Sequence, residues 1–417
     1  MNRNLWLGTL LLLAGMLAQT AKADAPNTIV GSNHPGVDLP AVQHAVDVGG
    51  KVRLQGTFDF GSGSVVITQD VSIEGETGPH HEPLTTIRGG RFAFFSSPSV
   101  PVTRPGPRIT IRNLRFDGAI SAAIQLAYAS DVRVTNNRFS NIHPEAGHAG
   151  PNVLLQEAIL VGTWRAPLPG IYVPNAITGH VSIADNEMDM TGPSPSQTLC
   201  QGVMATFMTA AEVTVRNNQI SNCSRNGVEI LDNYRDSEGR GEIAIRGNSI
   251  ITPAQGNTVP NIAAPNGIVA GWFFNPAAAN DPLLNPKYVI DENYIETHGP
   301  ISFGIANQAP GSYVVNNTVV LNDGRNGILV GSADSYIAYN EVSGSTFAGI
   351  RVIALTPPAS GNVLIGNDVS GLTSSFVDYA LNPGTSNTTL IGCTGSVSDL
   401  GLNDSVTIGG SACDVGR

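Results

Sequence analysis

The sequence predicts an all-β protein, a single right-handed parallel β-helix of about ten to twelve coils, on three observations. A strand ending on Asn recurs along most of the chain. A Gly-led apolar strand falls between successive Asn marks. Charged residues make up only 13% of 417 residues while Gly reaches 47, the composition of many short strands joined by tight turns.

The Asn marks stand at positions 113, 137, 186, 218, 248, 293, 317, 340 and 367. Typical copies read Val215-Arg216-Asn217-Asn218 and Ile337-Ala338-Tyr339-Asn340. Steps of 24, 23 and 27 residues read as single coils, steps of 30, 32 and 45 as coils with insertions, and the step of 49 as two coils. Stacked Asn side chains are expected to hydrogen-bond along the turn and satisfy its buried amides. The second strand runs from Ala123-Ile124-Gln125-Leu126 through Gly227-Val228-Glu229-Ile230 to Gly349-Ile350-Arg351-Val352. Its Gly supplies either a positive φ or a close approach. A leucine-rich repeat requires a Leu-x-x-Leu-x-Leu frame that is absent, and a propeller requires about 40 residues per blade.

At the N-terminus, Arg3, the apolar run Leu5 to Leu17 and Ala21-Lys22-Ala23 form a signal peptide pattern, residues 1–23, with cleavage expected after Ala23. The run is too short to span a membrane. The mature chain, 24–417, is expected to be secreted or periplasmic and monomeric. Residues 37–48 read as an amphipathic helix with Leu39, Val42, Ala45 and Val46 on one face, and residues 385–417 as a C-terminal cap.

Four Cys in an oxidising compartment favour disulfides. Cys200 and Cys223 fall in the same turn on successive coils, and Cys393 stands where the next ladder Asn would. The expected pairs are Cys200–Cys223 and Cys393–Cys413, each contributing about 3 kcal/mol on a chain-entropy argument. The competing zinc reading has no Cys-x-x-Cys and no accompanying His. A formal charge of −11 argues against nucleic acid as a partner.

This repeat resembles the pectin lyase-like superfamily over roughly residues 30 to 410. The resemblance implies that the N-terminal helix covers the open end of the solenoid. It also implies a site on the outer face of the Gly-led sheet, walled by loops. In the expected register the outward column is Gln125, Leu160, Met204, Glu229, Val269, Ala306, Leu329 and Arg351. Glu229 and Arg351 are its only charges, separated by about five coils or roughly 24 Å. Three insertions follow the Gly-led strand: 164–180, 232–240 and 272–287. They supply Trp164, Tyr172, Tyr234 and Trp272 as a sugar-stacking wall, or as rings that pack the loops onto the barrel. His143, His148, Arg225, His298 and Arg325 come from the opposite edge.

Arg225, Glu229, Tyr234 and Arg235 form the closest set of acid–base types and are the candidate catalytic group. Trp164, Tyr172, Trp272, Arg325 and Arg351 are the candidate substrate contacts, with a polysaccharide or oligosaccharide as the expected partner. No metal site is expected; Asp185, Glu187 and Asp189 raise Ca²⁺ as the one cofactor to weigh, against a solvated acidic strand face. The sequence lacks the polygalacturonase Asn-Thr-Asp, Asp-Asp and Gly-His-Gly set. Ile142-His143-Pro144-Glu145 does not reproduce the Asp-Pro-His-Asp of mannuronan epimerases, and Arg104-Pro105-Gly106-Pro107-Arg108 has the wrong spacing for pectate lyase. Two function classes follow: a carbohydrate-active protein, either a polysaccharide lyase or a glycoside hydrolase, and a non-catalytic periplasmic or surface β-helix that binds or scaffolds.

Overall fold

The computed structural model describes residues 27–147, 150–163, 171–191, 198–253, 265–272, 275, 281, 283–355, 359–392, 395–407 and 413–416. The predicted signal segment 1–23, Trp164, His148 and Cys393 lie outside them. Among the described residues no helix is long and apolar enough to cross a membrane.

Alternation dictates the strands. Glu212–Arg216 and Arg108–Arg112 each bury their second and fourth residues and expose their ends, which fits a strand with one face on a core. Fourteen such strands, from Asn27–Val30 to Ser405–Thr407, form one continuous sheet, the first face. Each neighbouring pair sampled along it is parallel, as in Val132↔Val181, Val213↔Ile243 and Ile290↔Val314. A short strand after each turn forms a second face, such as Gln219–Ser221 on Ser249–Ile251. The Gly-led strands form the third. Thr318–Val330 pairs with strands of both the second and third faces, which joins them into one network. The result is a parallel β-helix whose interior is a stack of like residues. Ile124, Ile159, Val203, Val228, Ile268 and Ile305 succeed one another in register, all 0% exposed.

The Asn ladder forms as the repeat implies. Asn186, Asn218 and Asn248 are buried. In each case the backbone N–H and the side-chain Nδ2 both donate to the Oδ1 of the next Asn, at 2.9–3.1 Å. The residue before each ladder Asn takes a left-handed conformation, with φ of 53° at Asn217, 61° at Gly247 and 55° at Asn316. This explains the frequent Asn-Asn and Gly-Asn pairs.

Two expectations are corrected. Asn113 is the left-handed residue, φ 61°, and Leu114 occupies the ladder position, its N–H donating to Asn137 Oδ1 at 3.1 Å. The 49-residue step is one coil, because Asp131–Thr135 pairs directly with His180–Ala184. The extra length goes into an excursion in which Glu145–Gly147 runs antiparallel to the start of Gly150–Gly162. The Gly of the third face serves close approach: a Cβ on Gly227 would meet Ile250 Cγ2 at 2.3 Å and Gly267 O at 2.9 Å.

An α-helix spans Pro35–Val48 and buries Val42, Ala45 and Val46 against the first coil. Asp38 ties it down, accepting hydrogen bonds from Ser32 N and Oγ, His34 N and Asp59 N at 2.7–2.9 Å. Burial pushes its carboxyl up, but these donors outweigh burial and hold its pKa below the ordinary 3.8. Stabilisation from a lowered pKa is present above that ordinary value and lost as pH falls through the folded one. Asp38→Asn is therefore expected to cost about 1.5–3 kcal/mol at neutral pH. In urea melts across pH, the gap from wild type should close in strong acid.

Candidate functional site

On the third face the chain does not alternate strictly. Pairing partners run Gln201↔Asn226 and then Val203↔Val228, stepping over Gly202 and Gly227. Two residues three apart therefore reach the same side. One outward row is Glu157, Gln201, Asn226 and Asn266. The other is Leu160, Met204, Glu229, Val269, Ala306, Leu329 and Arg351. Glu229 and Arg351 are thus four steps apart, about 19 Å, closer than the five coils expected.

The rows meet at Glu229, which is 1% exposed. Its Oε2 accepts from Gln201 Nε2 at 2.9 Å and from Asn226 Nδ2. Arg225 Nε stands 3.7 Å from the same oxygen, an ion pair too long for a hydrogen bond. Asn226 Oδ1 accepts from Asn266 Nδ2 at 2.8 Å, and Asn266 Oδ1 accepts from Phe303 N at 3.0 Å. Glu229 Oε1 and Gln201 Oε1 are buried without any partner, and each such oxygen costs about 1–3 kcal/mol. Glu157 and Gln125 on neighbouring coils are 0% exposed. Two amide donors and an ion-pair partner therefore converge on Oε2, while Oε1 is left as an open acceptor.

Sequence reading found Arg225 and Glu229 but missed Glu157, Gln201, Asn226 and Asn266. The signal was the polar residue immediately before each small one: Glu157-Ala158, Gln201-Gly202, Asn226-Gly227, Asn266-Gly267.

Tyr234 and Arg235 separate from Glu229. Tyr234 lies 4.0 Å from Tyr172 and 5.1 Å from Trp272, centroid to centroid. Trp272 is 3% exposed, with its indole N–H on Asn285 Oδ1. Tyr172 shares a hydrogen bond with Thr209 Oγ1 at 3.0 Å. The insertions do meet, but Trp272 and Tyr234 pack edge to face against each other, and Trp272 is buried. Burial first, and then Asp232's charge, raise the Tyr234 phenol against the opposing effect of Asn275 Nδ2 donating to its oxygen. It stays protonated at neutral pH, a donor and not a base. Arg235 donates to the carbonyls of Asn285 and Gly239. Tyr234→Phe is expected to cost about 1 kcal/mol of stability and to leave any turnover unchanged, measured by denaturation and initial rates in parallel.

Arg351 donates to Asn382 Oδ1 at 3.1 Å, and Arg325 is exposed. Cys200 and Cys223 are neighbours as the register required, both 1% exposed, with no bond drawn between their sulfurs; the expected bridge stays a proposal. The Cys200 Sγ lies 4.0 Å from Met190 O. Burial, then the neighbouring Cys200, push the Cys223 thiol up. Cys393 lies outside the described residues, so its pairing with Cys413 does too. The Asp185, Glu187 and Asp189 row is bonded to neighbouring coils through Asn217, Arg138 and Asn222. Among the described residues no group of three or more His, Cys, Asp or Glu is arranged to hold a metal.

No protein-family profile matches the chain, and no curated protein matches its sequence. Solved structures do. A mannuronan C-5 epimerase A-module from Azotobacter vinelandii is 14% identical, covering 90% of this chain and 93% of that one, with a TM-score of 0.40. Tailspike protein 3 of bacteriophage CBA120 is 13% identical over 91% of this chain and 58% of its own length, with a TM-score of 0.43. DFA-IIIase from Arthrobacter chlorophenolicus A6 is 10% identical over 89% and 92%, with a TM-score of 0.43. At identities of 10–14% and TM-scores of 0.40–0.43 these likenesses bring no activity to this chain.

Proposed function

We propose that this protein binds and cleaves a polysaccharide on the outer face of its Gly-led sheet, with Glu229 as the reactive carboxylate. The observation that carries this reading is the vacant Oε1 of a fully buried Glu229 whose other oxygen is taken by Gln201, Asn226 and Arg225. That unpartnered oxygen is free to accept a proton or the hydrogen bond of a sugar hydroxyl. Glu157 supplies a second carboxylate two coils away, with about 10 Å between their strands. A carboxylate pair flanking one bond is the equipment of glycosidic cleavage. Hydrolysis and lyase elimination both use such an acceptor, with Arg225 at hand to neutralise charge. Export after cleavage behind Ala23 is part of the proposal, supported by the Leu5–Leu17 run. N-terminal sequencing of the mature protein should begin at Asp24.

The second reading, a non-catalytic binding or scaffold protein, has one observation in its favour. Gln125, Glu157, Gln201 and Glu229 are all between 0% and 1% exposed, a covered row and not an open groove. Incubation with a panel of uronate and neutral polysaccharides, following reducing ends and unsaturated uronate absorbance, decides between them. Turnover of one substrate, lost in Arg225→Ala, is expected. Binding without turnover across the panel selects the second reading.

A further inference from the structure

Further along the third face, Asn326, Ala348 and Val377 succeed one another in register. The residues before them, Arg325, Phe347 and Phe376, therefore form a row on three successive coils. The Phe347 and Phe376 rings stack, with centroids 5.1 Å apart and planes 6° from parallel. Both stay open to solvent, Phe376 at 79% and Phe347 at 43% exposed. The Arg351 guanidinium sits 5.5 Å over the Phe347 ring, steadied by Asn382. Neither Arg325 nor Arg351 has a carboxylate partner among the described residues. Burial first, and then the positive charge of Arg325, draw the pKa of Arg351 down.

In a chain of net charge −11, two uncompensated arginines beside an exposed aromatic pair are a built feature. Exposed rings of this size are costly unless something apolar covers them. A guanidinium pair of this kind matches a carboxylate. A pyranose offers an apolar C–H face for a ring, and a hexuronate adds a carboxylate at its edge.

We propose that Phe376, Phe347, Arg351 and Arg325 bind a carboxylate-bearing oligosaccharide, one sugar ring on Phe376 and the carboxylate of a neighbouring unit on the two guanidiniums. The inference rests on the carbohydrate reading above and sharpens it to acidic polysaccharide. Arg351 stands in the outward row of Glu229, four coils or about 19 Å along the axis, and Phe376 is one coil further on, so one chain lying along the helix reaches both.

Calorimetric titration of the whole protein with a hexuronate tetrasaccharide, and with the same tetrasaccharide carboxyl-reduced, tests this. Phe376→Ala and Arg351→Gln are each expected to weaken the acidic ligand about tenfold, the scale of one stacked ring or one charge-assisted hydrogen bond. The carboxyl-reduced ligand should bind wild type as weakly as the acidic ligand binds Arg351→Gln. Because Phe376 is so exposed, its truncation should leave the circular dichroism unchanged. Equal binding of both ligands, or wild-type affinity in both variants, overturns the assignment. If turnover still depends on Glu229 in that case, the proposed function stands without it. Failure of any saccharide to bind sinks both.

Discussion

Glu229→Gln is expected to lower polysaccharide turnover by about 10² to 10⁴-fold, the range for loss of a positioned acid–base group, while the protein still unfolds cooperatively. The substitution keeps the shape of the side chain, so Gln201 Nε2 and Asn226 Nδ2 retain an acceptor at 229. What disappears is the negative charge opposite Arg225 and the basicity of the vacant oxygen. KM should move less than kcat, because an acceptor used on the reacting atoms is felt mainly in the transition state. Initial rates over a substrate series separate the two. Equal kcat in the variant and wild type would leave Glu229 as a buried ladder residue.

Asn248→Ala should be the most destabilising single change outside the apolar core. Asn248 Oδ1 accepts from both the backbone N–H and Nδ2 of Asn218, at 3.0 and 2.9 Å, and its own Nδ2 donates to Val215 O and Asn293 Oδ1. Truncation leaves several of these buried groups unpaired at once, and a loss of about 3–5 kcal/mol follows. The control lies one residue from the neighbouring ladder position. Asn217 points outward with φ 53°, a conformation Gly adopts freely, so Asn217→Gly should stay within about 0.5 kcal/mol of wild type. Guanidinium denaturation of the three proteins reads both. Comparable losses at 217 and 248 would mean that stability resides in the turn backbone and not in the side-chain ladder.

The coils were legible in the sequence because the ladder Asn has a fixed chemical job at one turn position. The misplacement at Asn113 has the same origin: the left-handed residue before the ladder also favours Asn, and at that coil only the outer one is Asn. The 49-residue coil was opaque because an excursion such as 145–162 has its own strand pattern and mimics an extra turn of helix. At the site, Glu229 was legible as an outward charge on a Gly-led strand. Glu157 and Gln201 were not, because strict alternation allots one outward residue where the Gly step allows two. The aromatic insertions could be located but not interpreted. Only the structure shows that Trp272 and Tyr234 cover each other, while Phe347 and Phe376, inside ordinary strands, stand open. For the cysteines the register gave the adjacency of Cys200 and Cys223, both buried.

The most direct test of Glu229 as the reactive centre is a crystal structure of the Glu229→Gln protein soaked with the best-bound oligosaccharide from the panel. A sugar oxygen within about 3 Å of the side-chain amide at position 229, with the chain running toward Phe376, is the predicted result. Sugar bound elsewhere, with the Glu157–Gln201–Asn226 row still covered and unoccupied, would contradict it.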